Sequence, residues 1–64
     1  MSAQARIDQL LAHCGDDPKR LESELIHAKL NLNRARTKES RLYWNRLYNA
    51  LSNRIARLEQ EGRA

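Results

Sequence analysis

From Lys19 to Glu61 the chain contains neither glycine nor proline, so nothing in its backbone chemistry interrupts a helix there. One continuous helix over 18–61 would be roughly 66 Å long at 1.5 Å per residue. The apolar residues argue against such a rod. Leu21, Leu25, Ala28, Leu32 and Ala35 alternate by four and three, a heptad-like seam. Trp44, Tyr48, Leu51, Ile55 and Leu58 repeat the alternation, with Leu47 on the same stripe. At 100° per residue the second stripe is rotated by roughly 130° from the first. A straight helix would show its two stripes to different sides, and a break between Ala35 and Leu42 realigns them. Residues Arg36-Thr37-Lys38-Glu39-Ser40 include weak helix formers that cap well, so Thr37 or Ser40 is placed to start a new helix.

The segment before Lys19 reads more sharply. Ala3, Ile7, Leu10, Leu11 and Cys14 lie on one helical face. Gly15 stands where a helix ends in the left-handed region. Asp17 followed by Pro18 is a helix start: the carboxylate accepts free N–H groups, and proline's missing donor costs nothing at the first position. Gly62 closes the last helix, leaving Arg63-Ala64 to fray. The expected fold is all-α and a single domain over 1–64. It has a short helix of about 3–14 folded across an antiparallel hairpin of about 18–35 and 39–60. A long bent helix whose stripes meet another chain is the alternative.

Composition supports this class. Ten Leu and three Ile stand against no Val and no Phe, and the residues that favour strands are nearly absent. A lone monomer of this size is marginal, because folding buries only about 60 % of the chain surface. No internal disulfide is possible with one cysteine, and no Cys/His array suggests a structural metal. Ile26 and Leu30 form a second apolar strip on the second helix, off its main seam. The first helix covers one strip at most, so a second copy is expected on the other, giving a homodimeric helical bundle. Its core or dimer interface is expected at Leu21, Leu25, Leu32, Trp44, Leu47, Tyr48, Leu51, Ile55 and Leu58.

Charge is unevenly placed. Residues 1–32 hold four Lys/Arg against five Asp/Glu, whereas 33–64 hold eight against three. Arg34, Arg36, Lys38, Arg41 and Arg46 crowd the expected bend, offset only by Glu39. Such a tip anchors phosphates or an acidic protein surface, or is simply solvated. Opposite the apolar stripe of the last helix lie Asn45, Asn49, Ser52, Asn53 and Ala56, an uncharged face flanked by Arg46 and Arg57. Helix surfaces usually carry Glu and Lys, so the amides at 45, 49 and 53 are candidates for bonding a partner. Leu42 and Tyr43, beside Arg41, are expected to be exposed and to extend this patch, since Tyr, Trp and Arg are enriched at binding hot spots.

Catalytic chemistry is not legible. His13 and Cys14 are about 100° apart around a helix, awkward for an ion pair, and Cys14 reads as a small buried hydrophobe. His27 lacks partners for a metal site, Glu22 and Glu24 diverge, and two distant glycines make no phosphate loop. No catalytic, cofactor or metal residue is therefore named, and no enzyme is expected. The far face of the Trp44–Leu58 stripe lacks the basic band of a membrane-surface helix. Residues 1–14 show no apolar run long enough for a secretory signal, and the lone thiol fits a reducing compartment, so a cytoplasmic location is expected.

The resulting expectation is a small protein-binding regulator or inhibitor, a homodimer that occupies a surface of a larger protein. Its size and basic charge resemble phage and bacterial small regulatory proteins as a class. A nucleic-acid accessory factor using the basic 34–46 segment is the second choice, with Arg41, Asn45 and Arg46 available to base edges. No known nucleic-acid module is matched, and Glu22 and Glu24 oppose a helix-turn-helix reading. A structural assembly subunit is the third.

Overall fold

A computed structural model of the chain describes residues 3–62. It places three helices in order: α1 (Ala3–Cys14), α2 (Pro18–Arg34) and α3 (Lys38–Gln60). Among the described residues there is no strand.

The first corner is built as its residue types dictate. Gly15 takes φ 60° and its N–H donates to the Leu11 carbonyl at 2.9 Å, ending α1. A Cβ at Gly15 would meet nothing within 4 Å, so the demand for glycine is torsional rather than a matter of space. Asp17 then sits in an extended conformation, and its carboxylate accepts the Lys19 N–H at 3.0 Å while Pro18 opens α2. Arg20, 3.8 Å from the same carboxylate, adds an exposed ion pair.

The second corner is the break between the two stripes. Its helix ends differ from the expected 35 and 39 by one residue each. Ala35 leaves α2 with φ −64° and ψ 128°, its N–H still reaching the Leu32 carbonyl at 3.3 Å. Thr37, also extended, caps α3: its hydroxyl accepts the Ser40 N–H at 3.1 Å, and its carbonyl accepts the Arg41 N–H at 3.1 Å. The Arg41 Nε donates back across the bend to the Ala35 carbonyl at 3.4 Å. The chain thus turns through extended residues, and no left-handed residue is required. At the far end, Gly62 takes φ 75° and its N–H donates to the Glu59 carbonyl at 3.1 Å. The expected fraying of Arg63 and Ala64 lies outside the described residues.

Helix α3 organises the packing, with α2 returning antiparallel along it and α1 lying on it as well. The start of α1 meets the start of α3, where Ala3 and Arg6 share a pocket with Glu39, Ser40, Tyr43 and Trp44. Just past the end of α1, Asp16 pairs with Arg54 at 3.4 Å. Helix α1 therefore runs in the same direction as α3. The buried core is Ile7 and Cys14 from α1, Leu21 and Ala28 from α2, and Leu47, Leu51 and Leu58 from α3.

Of the residues expected in the core, Leu21, Leu47, Leu51 and Leu58 are buried, whereas Leu25, Leu32, Trp44, Tyr48 and Ile55 are only half-buried. Three short helices cannot surround every stripe position, and the large side chains are left at the edges. Helix α1 covers neither Ile26 nor Leu30, because it lies along α3; they remain 60 % and 48 % exposed. The chain exposes 4930 Å², against about 4,200 Å² for a compact monomer of its mass. The fold therefore carries uncovered faces.

Candidate interaction surface

Every basic residue assigned to the tip is exposed. Arg34 and Arg36 stand at the bend, Lys38 opens α3, and Arg41 and Arg46 follow along its outer side. Arg41 is tied to the bend by its bond to the Ala35 carbonyl, so its role is partly to hold the turn. Among the described residues, Arg34, Arg36, Lys38 and Arg46 make no such bond to the backbone, and they present a positive end to solvent.

Beside this end lies a concave surface. Where the first turns of α1 meet those of α3, an open pocket of about 450 Å³ is lined by Ala3, Arg6, Glu39, Ser40, Tyr43 and Trp44. A smaller groove of about 180 Å³ continues from it past Leu42 and Arg46. Tyr43 and Trp44 form its aromatic wall, their ring centroids 4.9 Å apart and their planes at 76°, the edge-to-face geometry that aromatic quadrupoles favour. Cationic Arg6 lines the larger hollow and Arg46 the smaller, and Glu39 borders both. Glu39 in the first turn of α3 also meets the positive end of the helix dipole.

Among the expected partner residues, Leu42, Tyr43 and Arg46 come together here, whereas Asn49 and Asn53 lie further along α3, exposed and outside the pocket. Asn45 is exposed between them. Tyr43 differs from expectation: it is half-buried and packed on the core, and Leu42 alone of the pair stands out, at 53 % exposed. Position 43 turns toward α1, which was expected to fold across the hairpin but lies along α3 instead. Arg6, Ser40 and Ala3 were missed as surface residues for the same reason. Their only signal is the direction in which α1 docks, a tertiary fact.

The lone cysteine is enclosed. Cys14 is buried, and desolvation pushes its thiol above the ordinary value, with Glu24 and Asp17 adding to the rise and Arg20 opposing it. The neutral thiol is a poor nucleophile, and the neighbouring His13 is exposed on another side of α1. Among the described residues no group of three or more His, Cys, Asp or Glu is placed to hold a metal ion, and no helix is long and apolar enough to cross a membrane. The surface offers shape, aromatic edges and positive charge, which are means of binding. No protein-family model, curated protein or solved structure matches the chain.

Proposed function

We propose that this chain is a non-enzymatic binding protein that regulates a larger protein by occupying part of its surface through the α1–α3 pocket and the basic end beside it. The observation that carries the reading is the convergence of Tyr43, Trp44, Arg6, Arg46 and exposed Leu42 on one concave surface. Tyr, Trp and Arg are the side chains that dominate binding hot spots, and a bound partner filling the open pocket would exclude water from them.

Affinity capture from the native host, with the bound protein identified and its complex reconstituted from purified parts, tests this. Arg46→Glu with Arg36→Glu should leave helicity intact and weaken the reconstituted complex at least about tenfold. Arg41 is left alone because it braces the bend. Unchanged affinity would remove the basic end from the interface. A nucleic acid as the captured species, bound with steep salt dependence, would instead favour an accessory factor acting through 34–46.

A further inference from the structure

The outer face of α2 lies on the opposite side of the hairpin from α3 and is separate from the pocket. Lys19, Ser23, Ile26, Leu30 and Asn33 are spaced by four and three along it, a second heptad seam directly behind the one that packs on α3. All five are exposed. Ile26 and Leu30 are the seam's apolar centre, and the charged residues flanking it are mostly basic: Arg20 and Arg34 on one side, with His27 between them, and Lys29 with Glu22 on the other.

These flanks decide what can lie on the seam. Two copies packed antiparallel, Ile26 of each on Leu30 of the other, would set Arg20 against Arg34 twice and Lys29 against Lys29. Asp17 offsets Arg20 only partly, from 3.8 Å at the helix start. Packed parallel, each Lys29 would face the other copy's Arg34, and Glu22 would face no Lys or Arg. Like charges meet in both orientations, so the face repels its own copy while its centre favours apolar cover.

We propose that this face docks an acidic amphipathic helix from another protein, with apolar residues at i, i+3 or i+4 and i+7 on Ile26 and Leu30. Asp or Glu beside that stripe would face Lys29, Arg34 and Lys19. The chain then has two separate faces, one on each side of the hairpin, and can join two partners.

Two synthetic helices of about 20 residues, identical except for Glu or Lys beside a leucine seam, serve as probes. Each is titrated into the isotopically labelled full chain and followed by backbone NMR. The Glu helix should shift amides between Ser23 and Asn33, bind at least about tenfold more tightly than the Lys helix, and weaken as salt rises. Leu30→Glu should abolish the shifts without changing helicity, because the side chain is exposed; Arg46→Glu, in the pocket, should leave them unaltered. Equal binding of both probes, no binding of either, or shifts confined to Tyr43–Arg46 would overturn the proposal. So would a dimer in sedimentation equilibrium that Leu30→Glu dissolves.

Discussion

Leu51 and Leu42 lie on opposite sides of the same helix, and the same substitution at each measures how much of the fold rests on the inner side. Leu51 is fully buried at the middle of α3, whereas Leu42 is 53 % exposed. Leu51→Ala removes apolar area that no longer hides from water and leaves a hollow that the neighbouring helices fill only in part. Together these cost about 3–4 kcal/mol. A domain of this length has about 3–10 kcal/mol of stability in all. The variant should therefore lose a large part of it, with at least about 15 °C of Tm, and shift its urea midpoint by about 3–4 M if the slope is near 1 kcal/mol/M. Leu42→Ala, by contrast, should stay within about 0.5 kcal/mol of the parent. Thermal and urea melts followed by far-UV circular dichroism read both values, with the two variants compared at one concentration. Equal losses at the two positions would refute the packing of α3, because the helix would then have no inner side.

Four further outcomes follow from the geometry. Trp44→Ala, at a half-buried site on the pocket wall, should cost about 1.5–3 kcal/mol in a urea melt, less than a fully enclosed tryptophan. Thr37→Ala removes the hydroxyl that accepts the Ser40 N–H and should cost about 1 kcal/mol in the same assay, whereas Thr37→Ser should be nearly silent. Cys14 should react with a thiol reagent only as fast as the protein opens, and urea should accelerate it. Because burial raises the Cys14 pKa in the folded chain, its contribution to stability is complete below the unfolded thiol value of about 8.5. It should be lost as pH rises from there through the folded value. Cys14→Ser, whose hydroxyl does not titrate in this range, should lack that part of the alkaline decline in urea melts.

The corners were legible because each is a local device. Gly15, Asp17 and Pro18 carry torsional and hydrogen-bonding demands that only one backbone arrangement meets, and they meet it. The bend at Ala35–Thr37 was legible from the mismatch between two stripes, although no single residue marks it. What escaped was set by contacts distant in sequence. The direction of α1 along α3 depends on how Ile7, Leu10, Leu11 and Cys14 fit the grooves of a helix more than thirty residues away. That fit places Arg6 beside Tyr43 and Trp44, turns Tyr43 inward and leaves Ile26 and Leu30 bare. Periodicity ranks the faces of a helix by greasiness, but it does not say which face a neighbour reaches.

The bend between α2 and α3 reverses the chain with ordinary residues in ordinary conformations. Arg36 in particular answers to no torsional rule and anchors no neighbour's backbone among the bonds that hold the turn. Its side chain is thus open to replacement by almost any other without disturbing the scaffold. The charge displayed at that extremity can be retuned by point mutation, from basic to neutral or acidic, while the three helices stay where they are.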